Sequence, residues 1–158
     1  MSYNSNSKPI IVGDLNVYYG ASVSSLSADQ PVTWSTLDTT FSSTFTLTKS
    51  GSQFTIPNDN KTYILEAFIL QTGLNDYTTF QWYDVTNSQH VGIIGKVAGS
   101  NNYAEGRYGD IVADEKAIFV TSNSNTYELR LKDVGTTAVD TTTPGTYYTK
   151  PRCCIWRL

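Results

Sequence analysis

The segment Thr126-Tyr-Glu-Leu-Arg-Leu-Lys-Asp-Val134 alternates between apolar and polar side chains. Successive side chains of a β-strand point to opposite faces, so one face of this segment would carry Tyr127, Leu129 and Leu131. An amphipathic helix would instead repeat its apolar residues about every 3.6 positions. The segment therefore predicts a strand that buries one face and exposes the other.

Further short runs with a strand-like pattern occur along the whole chain. The turns between them, such as Lys49-Ser-Gly-Ser52 and Pro57-Asn-Asp-Asn60, contain the residue types that favour tight turns. The run 61–72 is apolar on both faces, which predicts a central strand or a strand with one face against a partner subunit. Together the runs predict about eight to ten strands, the pattern of a β-sandwich or barrel. The predicted strands cover residues 10–19, 41–48, 53–56, 61–72, 79–85, 89–97, 107–112, 117–121, 126–134 and 147–158.

The composition supports a β-rich chain and limits the class of function. Ser and Thr make up about a quarter of the residues and Tyr occurs 11 times, which suits a pleated, half-buried surface better than a helix. The net charge is −3, the pI is about 5.0 and only 16% of the residues are charged. A general nucleic-acid binder would have a basic face, and a protein attracted to an anionic membrane would have a basic patch. We therefore expect neither partner.

The chain carries no obvious signal for a membrane or for export. No apolar stretch approaches the roughly 20 residues that span a bilayer. The start, Met1-Ser-Tyr-Asn-Ser-Asn-Ser7, is polar and has no apolar core behind it, so it does not predict a signal peptide. We expect synthesis in a cytoplasm without export by the usual route.

The cysteine and histidine residues do not predict a catalytic or metal site. Cys153 and Cys154 are sequence neighbours, so we expect two free thiols, one facing the core and one facing away from it. His90 is the only histidine, and no Gly-x-Ser-x-Gly elbow accompanies it. One histidine and two adjacent cysteines cannot supply a tetrahedral zinc site from one chain. We expect a structural or partner-facing role for His90, with no cofactor and no metal.

Two other patterns have both a chemical and a structural interpretation. Asn58-Asp-Asn60 offers oxygen ligands but lacks the acidic spacing of a calcium loop, so a plain turn is the better interpretation. Gly92 and Gly95 interrupt a strand, and glycines there more often mark bulges or close packing than a phosphate loop. A glycosidase on a sandwich scaffold would need two carboxyl groups about 5 to 10 Å apart. The candidate carboxylates, none marked by the sequence, are Glu66, Asp84, Glu105, Asp110, Asp114, Glu115 and Glu128.

A family resemblance appears in the segment Phe45-Thr-Leu-Thr-Lys-Ser-Gly-Ser-Gln-Phe-Thr-Ile-Pro-Asn-Asp-Asn-Lys-Thr-Tyr-Ile-Leu-Glu-Ala-Phe-Ile69. This segment resembles the opening of C1q/TNF-like jelly rolls. Phe80-Gln-Trp-Tyr-Asp-Val-Thr86 is similar to the next strand in viral members of that group. Ala117-Ile-Phe-Val120 and Tyr127-Glu-Leu-Arg-Leu131 are similar to the penultimate pair, and Cys153-Cys-Ile-Trp-Arg-Leu158 to a closing strand beside the first.

The resemblance implies an all-β, two-sheet antiparallel jelly-roll sandwich over residues 41–158, with an extended N-terminal arm over residues 1–40. It further implies a non-enzymatic homotrimer of the kind found on tailed-phage virions, as a capsid decoration or head-fibre protein held to the particle by the arm. The alternative is the receptor-binding tip of a tail fibre, which would bind host surface glycans. An enzyme acting on glycans is a third and weaker hypothesis. The expected location is the virion, assembled in the host cytoplasm.

The abundant aromatic residues lead to two sets of candidate contacts. Large exposed aromatic patches usually mark interfaces, so apolar residues outside one core would face sister copies or virion proteins. The candidate interface residues are Ile10, Ile11, Val17, Tyr18, Trp34, Phe68, Leu70 and Trp156. The candidate glycan contacts, which would stack on sugar faces, are Tyr77, Tyr103 and Tyr108.

Overall fold

The computed structural model describes residues 14–20, 28–39, 43–68, 70–71, 77–98, 116–121, 123–133, 139–140 and 152–158. Across these residues the regular secondary structure is entirely β, and no helix is present that is long and apolar enough to cross a bilayer. The strands are β1 Leu15–Gly20, β2 Trp34–Leu37, β3 Thr48–Ser50, β4 Gln53–Thr55, β5 Thr62–Phe68, β6 Leu70–Gln71, β7 Tyr77–Asp84, β8 Gln89–Ala98, β9 Lys116–Thr121, β10 Thr126–Asp133, β11 Val139–Asp140 and β12 Arg152–Arg157.

Two five-stranded antiparallel sheets form the sandwich. Sheet 1 has the order β2-β1-β12-β5-β9, sheet 2 has the order β3-β4-β10-β7-β8, and β6 and β11 form a short separate pair. The last strand, β12, lies between β1 and β5, with Leu15 opposite Trp156. The predicted all-β, two-sheet jelly roll is confirmed, and so is the closing strand beside the first.

Strand β5 lies inside sheet 1, with a neighbouring strand on each side, as its largely apolar sequence predicts. Its inward residues Tyr63, Leu65 and Ala67 have no exposed surface. It pairs with β12 on one side and with β9 on the other. Burying a large apolar side chain of this kind stabilises the fold by roughly 1.5 to 3 kcal/mol, so the strand contributes strongly to the core.

Strands β10 and β7 show the period-two pattern most clearly. Leu129 and Leu131 of β10 have no exposed surface, and Phe80 and Trp82 of β7 are at most 1% exposed. Leu129 lies opposite Trp82 and Leu131 opposite Phe80, so the inward side chains of both strands form continuous rows. The intervening polar residues therefore lie on the outer face of sheet 2.

The predicted boundary of the N-terminal arm requires a correction. Strand β1 pairs with β12 and β2 pairs with β1, so both belong to the sandwich. Residues 29–32 run beside β10, where the Val32 amide donates to the Leu129 carbonyl at 2.8 Å. Val32 and Trp34 have no exposed surface, and their burial against the core explains why this stretch is ordered. Residues 1–13 of the predicted arm lie outside the described residues.

The segment after the arm also differs from its prediction. Residues 41–48 alternate like a strand, but β3 begins only at Thr48. Phe45 instead packs its ring against the core, 5.4 Å from the ring of Tyr63, and Ser43 forms an isolated bridge with Asp14. Side-chain contacts such as the hydrogen bond from Asn16 Nδ2 to Ser43 Oγ at 3.1 Å also hold this segment, and its pairing is limited to the one bridge, so it does not extend the sheet.

Candidate functional site

The outer face of sheet 1 carries apolar and aromatic residues from three neighbouring strands. We define this apolar face by Leu15, Val17 and Tyr19 of β1, Ile64 and Glu66 of β5, and Arg152, Cys154 and Trp156 of β12. The strand register aligns Leu15, Trp156 and Ile64 in one row across the sheet. A sheet that packs only on its own sandwich usually has a polar outer face, so the apolar face has the character of an interface.

Trp156 lies on the middle strand of the apolar face, in the end row with Leu15 and Ile64, and is half-buried. Its indole Nε1 donates a hydrogen bond to Glu66 Oε2 at 3.2 Å. That contact satisfies the polar edge of the ring, while the ring remains on the surface of the sheet. The combination of an apolar body and a satisfied polar group makes tryptophan a frequent anchor in interfaces.

The structure places the predicted interface residues in different environments. Trp156 lies on the apolar face, and Val17 lies in the next row but is only 3% exposed. Tyr18 and Trp34 face the interior, and the Tyr18 ring packs 5.1 Å from the ring of Phe54. These two residues are used within one chain, which is a correction to their assignment as surface contacts.

Three of the other predicted contact residues lie in strands, and four lie outside the described residues. Phe68 occupies the register position opposite Arg152. Leu70 belongs to β6, where it lies opposite Asp140 of β11. Tyr77 is the first residue of β7. Ile10, Ile11, Tyr103 and Tyr108 lie outside the described residues, so their interface and glycan roles stay predictions.

Two isoleucines missed by the sequence analysis are exposed on β8, the edge strand of sheet 2. Ile93 is 76% exposed and Ile94 is 50% exposed. Phe80 pairs with Gly95 but Trp82 pairs with Val91, so β8 has extra residues between these pairs and bulges. A bulge re-aims side chains and ends regular pairing, which explains why two successive apolar residues both reach the surface.

Gly92 determines the shape of this bulge. Its φ of +75° lies in the left-handed region, and a Cβ on Gly92 would overlap Ile118 Cγ2 of β9. The Gly92 carbonyl accepts a hydrogen bond from Gln81 Nε2 at 2.7 Å. The prediction that glycines in this strand mark a bulge with close packing is confirmed at Gly92, and the flanking glycines were the one sequence signal for the exposed isoleucines.

The outer face of sheet 2 is polar, in contrast to the apolar face of sheet 1. Glu128 Oε1 pairs with Arg130 Nε at 2.7 Å. The Arg130 guanidinium lies 3.5 Å from the centre of the Tyr83 ring, and the edge of the His90 ring packs 5.0 Å from Tyr83. His90 Nε2 is 3.6 Å from Asp29 Oδ1. We call these five residues the polar cluster.

The structure does not bring the candidate carboxylates Glu66 and Glu128 together. Glu66 lies on the apolar face and Glu128 in the polar cluster, on opposite sides of the sandwich. Asp84 is 3% exposed and accepts hydrogen bonds from the backbone and side-chain nitrogens of Asn87, at 3.0 and 2.8 Å, and from Asn125 Nδ2 at 2.9 Å. Its carboxylate therefore holds the β7–β8 turn together. Glu105, Asp110, Asp114 and Glu115 lie outside the described residues.

Asp59 and the two cysteines are the residues on which a metal site or thiol chemistry would depend. In the described part of the chain, no group of three or more His, Cys, Asp or Glu residues could hold a metal ion. Asp59 accepts a hydrogen bond from the Tyr63 hydroxyl at 2.6 Å and lies 3.6 Å from Arg157 Nη1, so protein donors engage its oxygens. Cys153 and Cys154 are not joined in a disulfide, as predicted. Burial raises the pKa of the Cys153 thiol well above its ordinary value.

Comparison with known proteins defines the fold more closely. No family model matches the sequence, and no curated protein matches it. Among solved structures, the crystal structures of murine APRIL at pH 8.5, pH 5.0 and pH 8.0 superpose with TM-scores of 0.55, 0.56 and 0.52 and sequence identities of 10%, 8% and 10%. Each alignment covers 92% of this chain and 100% of the other. The chain therefore has a TNF/C1q-like jelly-roll fold.

Proposed function

We propose that this chain is a non-enzymatic structural protein that works as a homotrimer, with the apolar face of sheet 1 buried between copies. The observation that carries the proposal is the contrast between the two outer faces. Sheet 2 presents the polar cluster, whose members form an ion pair and ring contacts with one another. Sheet 1 presents Leu15, Ile64 and Trp156, which have apolar surface left to bury.

The exposed isoleucines supply a second apolar surface that differs from the first. Ile93 and Ile94 lie on the edge strand of sheet 2, whereas Trp156 lies on the outer face of sheet 1. When two different surfaces of the same molecule meet, the contact is heterologous and forms a closed ring if the rotation between copies closes. A three-fold ring, as the resemblance implies, would bury both surfaces in every copy.

The wider proposal places this homotrimer on a virion, as a capsid decoration or head-fibre protein. The resemblance of Phe80-Gln-Trp-Tyr-Asp-Val-Thr86 to viral jelly rolls supports it. The low charged fraction of 16% supports it as well, because a neutral, hydroxyl-rich surface suits contact with other proteins. The proposal requires no cofactor, no nucleic acid and no membrane.

The first experiment measures the mass of the protein in solution by light scattering coupled to size exclusion. The unmodified chain should elute as a trimer. Ile64→Lys should convert it to a monomer, because a charge in the centre of an interface leaves an unpaired group in an apolar contact. Ser50→Lys is the matched control, since Ser50 is an exposed residue of β3, at the opposite edge of sheet 2 from β8. A folded monomer at all concentrations of the unmodified protein contradicts the proposal.

A cross-linking experiment tests the heterologous geometry. Ile94→Cys and Ile64→Cys are made separately in a Cys153→Ala/Cys154→Ala background and mixed under mild oxidation. Cross-linked dimers should form only in the mixture, because each variant alone offers one half of the contact. Cross-linking by either variant alone, with no gain on mixing, would show a contact between identical surfaces.

The virion placement is tested on particles. An antibody to this chain should label intact particles, and mild denaturant should release the protein while the heads remain intact. Binding of the free protein to host cells, blocked by soluble glycan, would favour the receptor-binding tip instead.

A further inference from the structure

His90 occupies an unusual position near the start of the edge strand β8. It pairs in register with Tyr83 of β7, and its ring packs edge-on against the Tyr83 ring at an interplanar angle of 74°. Nε2 faces Asp29 at 3.6 Å. Nδ1 is buried and has no hydrogen-bond partner among the described contacts. The neutral imidazole fits this position, because an unprotonated Nδ1 needs no acceptor.

The charged groups around His90 come from each element that packs against it. Arg130 and Lys132 of β10 add positive charge, and the Arg130 guanidinium lies over the Tyr83 ring that His90 contacts. Glu128 is engaged by Arg130 and by the Ser52 hydroxyl at 3.1 Å, so it offers His90 little compensation. Among the described residues Asp29 is the carboxylate close to His90, and its side chain is 68% exposed and therefore screened by water.

We propose that protonation of His90 in mildly acidic solution releases the first residues of β8 from β7 and loosens the edge that carries Ile93 and Ile94. A second proton would place an N–H on the buried Nδ1, which has no acceptor, and an unsatisfied buried donor is costly. The new positive charge would also face Lys132 and Arg130. The imidazolium therefore moves outward to water and leaves the Tyr83 ring.

The direction of the shift in the pKa of His90 agrees with a site that favours the neutral imidazole. Burial, and then the positive charge of Lys132, lower the pKa of His90 below its ordinary value of 6.5, while Asp29 acts in the opposite direction. The unfolded chain therefore binds the proton at a higher pH than the folded chain. The stability that depends on neutral His90 is complete above about pH 6.5 and is lost as the pH falls through the lower folded pKa.

The main test follows the single histidine by NMR, because the chain gives only one imidazole titration. The pH midpoint of the His90 titration should lie below 6.5 in the unmodified protein. It should be higher in Lys132→Gln and lower still in Asp29→Asn. A midpoint at or above 6.5 in the unmodified protein, or an unchanged midpoint in Lys132→Gln, overturns the proposal.

A second measurement locates the structural effect. Amide exchange, corrected for the intrinsic rate at each pH, should show that protection at Gln89–Val91 falls between pH 7.5 and pH 5.0 more than protection at Leu129–Leu131. In His90→Gln this difference should disappear, because glutamine cannot gain a proton in this range. Equal loss in both strands, or the same local loss in His90→Gln, would show that the edge does not respond through this residue.

Discussion

The substitution Gly92→Ala tests the reasoning about the bulge most directly. The structure predicts two separate costs. A residue with a Cβ at φ +75° is in the left-handed region, which costs about 1 to 2 kcal/mol. The added methyl group would also overlap Ile118 Cγ2, and overpacking of a core typically costs about 1 to 3 kcal/mol. The sum is a loss of about 2 to 5 kcal/mol in the free energy of unfolding.

The assay is urea unfolding followed by tryptophan fluorescence, with thermal unfolding as a second readout. For a chain of this size each kcal/mol lowers the melting temperature by about 2 to 4 °C, so Gly92→Ala should melt roughly 4 to 20 °C lower. Gly51→Ala is the matched control, because Gly51 has a φ of +58° but no atom within 4 Å of the position that an added Cβ would take. It should show the backbone cost alone.

A double-mutant cycle isolates the overlap with Ile118. Ile118→Ala removes Cγ2 and leaves a small cavity, so it is destabilising by itself. In Gly92→Ala/Ile118→Ala the new methyl group has room, and the combined loss should be smaller than the sum of the single losses. Strictly additive losses, or a Gly92→Ala cost equal to that of Gly51→Ala, would refute the close approach of β8 and β9.

Two further predictions concern other parts of sheet 1. Arg157→Met keeps an apolar stem near Phe45 but removes the contacts to Asp14 Oδ1 at 3.1 Å, to Asp59 and to Thr44, so it should lower the unfolding midpoint. The Thr44 hydroxyl and then Arg157 lower the pKa of Asp14 below its ordinary 3.8, so the difference from the unmodified protein should be full at pH 7 and disappear as the pH falls below about 3.8. High salt should reduce the difference, and an effect insensitive to both pH and salt would point to lost packing. Cys153 and Cys154 are buried, and the raised pKa of Cys153 disfavours its thiolate, so neither should react with a thiol reagent until urea unfolds the chain. Rapid labelling of the native protein would contradict the placement of β12.

Local alternation was sufficient to predict strand β10 and its buried face. Tyr127, Leu129 and Leu131 repeat every second residue, and that period alone indicates which side chains are buried. Strand β2 and residues 28–32 were not predicted as part of the sheets because Val32 and Trp34 form too short an apolar run to show a period. Residues 29–32 are placed by hydrogen bonds to β10, about a hundred residues further along the chain, and β2 is placed by pairing with β1.

The candidate surfaces were only partly predictable. Trp156 lies on the outer face of sheet 1, whereas Trp34 shares the same side-chain chemistry and lies in the core. Composition cannot separate two such residues, because their exposure depends on which face of which strand they occupy. The exposure of Ile93 and Ile94 depends on a bulge, and a bulge changes the period on which the sequence argument relies.

The antiparallel pairing of β1 with β12 determines how this domain can be attached to another protein. Leu15 lies beside Trp156, so the start of β1 and the end of β12 lie at the same pole of the sandwich. A tether fused ahead of β1 and a tether fused behind β12 would therefore hold the molecule in the same orientation, with the opposite pole projecting outward. The same proximity would allow the whole sandwich to be inserted into a surface loop of another protein without pulling its sheets apart.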